Sequence, residues 1–204
     1  MQSVNIFINM YRQNKKTEFY TELAKKQGYP ARSVYKLKEI DQKYSIFKKG
    51  DKILDLGCAP GSWLLYIAEK VGNRGSVVGA DISDIKIPQK DNVIFIKKSV
   101  FDFKETDFDY KFDAVVSDMA PSTTGVVFVD SGKSLELSEN AFDVAKMFLK
   151  PGGNFVCKIF DSKEATDFFK NLGQSFEFSK RFKPKAVLGR SKEFYIVAKG
   201  FKQA

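Results

Sequence analysis

The stretch KILDLGCAPGSWLLYIAEKVG, residues 52–72, confines the chain to few architectures. KILDLG is a short apolar run that reads as a buried strand. Gly57 then permits a tight turn, and Gly61 lets backbone approach a ligand closely. Beyond them Leu64, Ile67, Ala68 and Val71 recur at i, i+3, i+4 and i+7, which is one face of a helix. Gly72 and Gly75 bracket the end of that helix. A strand that enters a helix through a glycine turn is the opening half of a βαβ unit.

The alternation continues downstream. SVVGADI, NVIFIKKSV and FDAVVSDM read as the second to fourth strands. LELSENAFDVAKMFLK reads as a long helix with Leu137, Ala141, Val144, Ala145 and Phe148 inward, and PGG ends it. NFVCKIF is the fifth strand, and a short helix follows near residues 162–172. SFEFSKRF and EFYIVAKGF flank KPKAVLGRSK and pair as a hairpin. Upstream, SVYKLKEIDQKYSIF at 33–47 has helical spacing. The expected class is α/β: a doubly wound, mostly parallel, seven-stranded Rossmann-like sheet with a C-terminal antiparallel hairpin. A length of 204 residues suits one domain over 1–204.

Composition removes several chemistries. The chain has no histidine, which excludes His-based acid/base work, Ser-His-Asp triads and Cys/His zinc sites. Its two cysteines, Cys58 and Cys157, lie far apart without metal-ligand spacing. Reduced thiols and a cytoplasmic location are expected, with no metal. No run of 18 apolar residues exists, so no membrane partner is expected. The apolar patch in MQSVNIFINMYRQNKK is broken by Asn5 and Asn9 and lacks a basic leader, unlike a secretory signal. The net charge of +9 is unevenly spread: residues 1–50 carry +7, residues 51–160 carry −3 and residues 161–204 carry +5. Solvated lysine-rich faces would give a high charge, but the regional bias favours a polyanion.

In open α/β sheets ligands bind beyond the carboxyl ends of the strands. Asp55–Gly57, Asp81, Ser99, Asp118 and Lys158 each stand at or near the end of a different strand, so all should face one crevice. The dinucleotide fingerprint wants glycine at 57, 59 and 62, and the chain has Gly57, Ala59 and Ser62. A pyrophosphate is therefore disfavoured. Asp81, 20 residues past Gly61, is placed to accept both hydroxyls of a ribose, which suits a nucleoside cofactor without phosphates. The bland alternative is a structural turn with a surface aspartate. VDSGKS imitates the end of a P-loop, but Val127 stands where glycine is required, and the match is read as coincidence. Asp118 in SDMAPS can equally cap its Pro-restrained loop. Lys158 is the oddest residue, an ammonium in the apolar run GGNFVCKIFD. Burying a lone charge is costly. Either Lys158 snorkels from a strand end or it works there.

In order and spacing, LAKKQGYPARSVYKLKEI, DLGCAPGSW, GADI, SDMAPSTTG, PGGNFVCKIF and RSKEFYIVAKGFK resemble the FtsJ-type ribose 2′-O-methyltransferases, which use S-adenosylmethionine (SAM). The resemblance spans residues 23–202. It implies a tetrad of Lys36, Asp118, Lys158 and Glu193, and donor contacts from Gly57, Gly61, Trp63, Asp81 and Asp118, with Asp55 beside them. One column departs: Ser99 stands where the family places an aspartate near the adenine amino group, and Asp102, three residues on, is the alternative.

Methyl transfer to a 2′-hydroxyl is an in-line displacement, and the hydroxyl needs a proton acceptor. A neutral amine within hydrogen-bond reach can serve. Burial lowers a lysine pKa by up to ~3–5 units, and a second cation adds to that. Asp118 and Glu193 oppose it. Lys158 is the base if its apolar strand, Lys36 and the sulfonium outweigh the two carboxylates, and the resemblance implies the same role. Glu193 and Tyr195 share a strand face, so Tyr195 either stacks on an unpaired RNA base or packs in the core with a tethered hydroxyl. Residues 1–32 form a basic RNA-binding extension, with Lys15, Lys16, Lys25, Lys26, Arg32 and also Lys38 available for phosphates. The resemblance implies, and the expected function is, SAM-dependent 2′-O-methylation of a uridine in 23S ribosomal RNA, within the large subunit, by a monomer. The alternatives are a ribose in a tRNA anticodon loop and a non-catalytic RNA-binding module. A small-molecule methyltransferase would leave the basic ends unexplained.

Overall fold

Period-two burial along the strands builds two cores back to back. Ile53, Val77, Ala114, Val116 and Val156 join one cluster, and their neighbours Leu54, Val78, Val115, Phe155 and Cys157 join the other. Successive strand side chains face opposite sides, so a strand apolar on both faces must be covered on both. The computed structural model describes residues 15–187 and 191–202. The first fourteen residues of the expected extension, and 188–190 in the segment KPKAVLGRSK, lie outside the described residues.

The strands are β1 (Lys52–Leu56), β2 (Ser76–Asp81), β3 (Val93–Lys97), β4 (Phe112–Ser117), β5 (Leu149–Phe160), β6 (Phe176–Phe182) and β7 (Glu193–Phe201). They form a seven-stranded sheet in the order β3-β2-β1-β4-β5-β7-β6. The first five are parallel, and β7 runs antiparallel between β5 and β6. The expected fold class is the observed one. Helix α1 covers 15–26 of the described residues. It is followed by α2 (Val34–Tyr44), α3 (Ser62–Val71), α4 (Val127–Phe148) and α5 (Lys163–Gln174).

Helix α3 is apolar on more than the expected face, because Trp63, Leu65 and Tyr66 are buried as well. Helix α2 covers its outer side, and a helix buried all round needs apolar residues all round. The buried carboxylate of Asp41 on α2 fixes this packing. It accepts the Tyr66 hydroxyl at 2.7 Å and the Ile46 and Phe47 N–H groups at 3.0 and 3.2 Å. The end of the extension belongs to the same core. Ala24 and Tyr29 are buried in it, and the Tyr29 hydroxyl donates to Glu69 at 3.0 Å.

Helix α4 begins at Val127 rather than near Leu135. The segment VDSGKS therefore lies in its first turns, with Gly132 helical, and forms no phosphate loop. Strand β5 includes Pro151–Gly153, which the sequence reading takes as a terminator; its pairing with β4 shifts register between Phe112 and Ala114. Leu137 is only half-buried, because it faces the crevice described next.

Candidate active site

The sheet order reverses between β1 and β4, since the chain leaves β1 toward β2 and β3 and returns on the other side as β4. A crevice opens at such a switch point. It holds a cavity of about 340 Å³ lined by Gly57, Asp81, Ser99 and Asp118, with Ile82, Phe101 and Met119 as apolar walls. Gly57 has φ +73°, and a Cβ there would collide with the Met119 side chain. Glycine is required on both counts. The Asp81 carboxylate accepts one N–H at each oxygen, from Ala59 at 2.9 Å and Ser83 at 2.8 Å. Each oxygen keeps a lone pair, so a pair of vicinal hydroxyls still finds two acceptors. Ser99 accepts the Phe101 N–H at 3.3 Å. Asp102 is exposed and does not line the cavity, so of the two residues open for adenine the structure brings Ser99 to it.

Three residues expected at the donor do not line this cavity: Asp55, Gly61 and Trp63. Trp63 is buried, with its indole N–H donating to the Ser33 carbonyl at 3.1 Å. Asp55 is fully buried, and neither carboxylate oxygen has a hydrogen-bond partner among the described residues. Burial first, then the charges of Asp118 and Asp81, push its carboxyl well above the usual carboxylate range.

The other wall answers the lysine question. Lys158 on β5 is 7% exposed and neither snorkels nor stands alone. Its ammonium donates to Asp118 Oδ1 at 3.0 Å and also to the Asp118 carbonyl. Tyr195 lies opposite Lys158 in the β5–β7 register, and its hydroxyl donates to the same Asp118 Oδ1 at 2.6 Å. Lys36, on the first turns of α2, pairs with Glu193 at 2.6 Å, and its Nζ stands 5.9 Å from the centre of the Tyr195 ring. All four tetrad residues thus meet as two ion pairs with one tyrosine between them. Burial alone would raise the Asp118 carboxyl. Lys158, Lys36 and the hydrogen bonds from Tyr195 and Lys158 outweigh that and hold it below its ordinary value. Burial, then Asp118 and Glu193, push the Tyr195 phenol well above its ordinary value, so it serves as a neutral donor.

This position corrects the stacking expectation for Tyr195. The residue is fully buried, and its ring offers no face to an RNA base. Its two-residue spacing from Glu193 put it on the right face; the hydroxyl, not the ring, is what the site uses. Sequence reading also missed Glu39. One turn beyond Lys36, its carboxylate accepts the N–H groups of Lys185 and Ala186 at 2.6 and 2.9 Å and ties the β6–β7 loop to α2.

Of the cations expected to meet phosphates, Lys15, Lys25 and Lys26 are exposed on α1, and Lys16 and Arg32 are half-buried. Lys38 is otherwise engaged. It lies 4.3 Å over the Tyr29 ring and donates to Gln27 at 3.0 Å. Burial lowers its pKa, with Glu69 opposing and Lys70 reinforcing the shift. Among the described residues no group of three Cys, Asp or Glu is arranged to hold a metal, and no helix is long and apolar enough to cross a membrane.

Residues 29–201 match the model of the FtsJ-like methyltransferase family. The chain is 45% identical over 183 residues to the ribosomal RNA large subunit methyltransferase E of Desulfatibacillum aliphaticivorans, covering 88% of each chain. It is 46% identical over 193 residues to the protein of that name from Nitratidesulfovibrio vulgaris (strain DP4), covering 92% of this chain and 95% of the relative. Among solved structures, a Plasmodium falciparum chain assigned as a ribosomal RNA methyltransferase superposes with a TM-score of 0.75 at 28% identity. That match covers 85% of this chain and 98% of the other. Fibrillarin from Aeropyrum pernix, solved with S-adenosyl-L-methionine bound, has a TM-score of 0.57 at 20% identity over 74% of this chain and 67% of its own, a likeness of fold.

Proposed function

Because the chain belongs to the FtsJ-like methyltransferase family, whose methyl donor is SAM, we propose that it methylates the ribose 2′-hydroxyl of a uridine in 23S ribosomal RNA, with Lys158 as general base. The names of the relatives support the RNA, and the geometry of the second wall supports the chemistry. We place the reaction in the cytoplasm, on RNA held in the large subunit, and the enzyme as a monomer.

The residues present fit the donor. Asp81 has two acceptor sites left for ribose hydroxyls, Gly57 clears the approach, and Ser99 reaches the same cavity. The orphaned carboxylate of Asp55 stands on β1 two residues before Gly57, where a cationic amine would offset its burial. When bound, SAM supplies an electrophilic methyl carbon on a positive sulfonium. Asp118 belongs to both halves, since it lines the cavity and holds Lys158. Lys158 takes the 2′-hydroxyl proton after its own ammonium proton has passed to solvent, and Asp118 fixes the direction of its nitrogen. Lys36, paired with Glu193, keeps a second cation beside the first ion pair. Proton acceptance of this kind contributes ~10²–10⁴-fold. Holding the reacting groups in line is worth ~7–11 kcal/mol, the larger share.

The observation that carries this reading is Lys158, buried in an apolar strand yet bound at the cavity wall to Asp118. The test is incubation of the purified protein and methyl-labelled donor with large subunits, free ribosomal RNA and tRNA, followed by mapping of the label. One ribose-methylated uridine in 23S RNA is the expected product. Label confined to a tRNA anticodon loop would move the assignment there, and no RNA product would overturn it.

A further inference from the structure

The first turn of α4 presents an apolar run to solvent: Val126, Val127 and Phe128 are 56%, 54% and 85% exposed. Among the described residues the Phe128 ring meets no other aromatic ring, although most phenylalanines of the chain do. The run is held firmly. Asp130 accepts the Thr124 N–H at 2.7 Å, the Thr124 hydroxyl at 2.9 Å and the Gly125 N–H at 3.1 Å, and Gly125 turns with φ +84°. A rigid cap thus keeps a bare phenylalanine exposed.

Its position is the second observation. The run follows Asp118 through the loop 119–125. On its far side Val127 shares a cavity of about 250 Å³ with Phe160, Ser191 and Lys192, directly before Glu193. Lys192 forms no ion pair among the described residues, whereas Asp161 nearby is neutralised by Arg181. Val127 of the apolar run and a cation without an ion pair among the described residues therefore border one cavity, next in sequence to Glu193 of the tetrad. These three exposed residues at one helix start are too few for a protein interface, which buries ~800 Å² per partner. Phe128 itself borders a cavity with Glu164 and with Asp161, which Arg181 neutralises, while its neighbour Val127 meets the cation Lys192; a protruding ring one residue from a cation-lined cavity suits a nucleobase whose backbone passes that cation.

We propose that Phe128, supported by Val127, is a stacking platform for an unpaired base next to the methylated nucleotide. The proposal rests on the RNA reading above, and splayed single-stranded bases on aromatic side chains are the usual form of RNA recognition. Steady-state methylation of large subunits by Phe128→Tyr, Phe128→Leu and Phe128→Ala tests it. Stacking is worth ~1–3 kcal/mol per base, so the Leu and Ala variants should raise the RNA KM roughly 5- to 150-fold. Their kcat should stay within about 2-fold and donor affinity should not change, the signature of lost uniform binding. Phe128→Tyr keeps a π-face and should keep the KM. Wild-type KM in Phe128→Leu would overturn the platform while leaving the RNA reading intact. The same would follow if Leu matched wild type and only Ala failed, which would mean an apolar protein contact. A wild-type protein that methylates no RNA would remove both.

Discussion

The two walls of the crevice are built on opposite plans. The wall from β1, β2 and β3 is made of turns. Its contacts are backbone N–H groups, one glycine without a Cβ and the carboxylate of Asp81, with Asp55 fully buried within reach of that charge and, among the described residues, without a hydrogen-bond partner. The wall from β4, β5, β7 and α2 is made of long charged side chains that satisfy one another: Lys158 with Asp118, Lys36 with Glu193, and Tyr195 between them. The first wall is left to be completed by something from outside. The second is already neutral and hydrogen-bonded, which is the state a preorganised catalytic group needs. Variants in the two walls should therefore fail differently.

The largest effect should come from the second wall. Lys158→Ala should lower kcat by ~10²–10⁴-fold with donor affinity unchanged, as single-turnover assays and donor titration would show. Lys158→Arg should fail as well, because a guanidinium does not deprotonate at working pH. Near wild-type turnover by either variant would erase the contrast. In the first wall, Asp81→Ala should weaken donor binding by about 10- to 100-fold, the cost of hydrogen bonds to a charged group, while kcat at saturating donor changes little. Equal losses in kcat would show that the walls are not separable.

The smallest effect is on stability. Folded Asp55 holds its proton at pH values where the unfolded chain, with a carboxyl near 3.9, has lost it. The folded state then binds more protons, so stability falls as pH rises from about 4 through the folded pKa. Asparagine cannot titrate. The stability gained in Asp55→Asn should therefore grow between pH 4 and pH 7 in denaturant titrations without donor. A gain independent of pH would place the charge of Asp55 elsewhere.

Sequence legibility divides along the same line. The first wall lies in contiguous motifs, so the strand–turn–helix at 52–72 and the carboxylate of Asp81 could be read locally. Gly61, Trp63 and Asp55 belong to the same stretch but do not line the cavity, a difference that the motif does not carry. The second wall is assembled from four distant segments. Resemblance supplied its members, and only tertiary geometry could supply the pairing of Lys36 with Glu193 and of Lys158 with Asp118. Glu39 escaped because its partners are backbone N–H groups, which leave no mark in side-chain identity. The start of α4 was misread because its first residues are apolar yet exposed, which breaks the inward periodicity that marks a helix.

The central claim is that the Lys158-centred wall methylates a ribose of ribosomal RNA. Ribose-methylation mapping of 23S RNA tests it in cells that lack the protein and are then supplied with wild type or with Lys158→Ala at equal abundance. The account predicts one mark lost in the deletion, restored by wild type and absent with Lys158→Ala. Restoration of that mark by Lys158→Ala would contradict it.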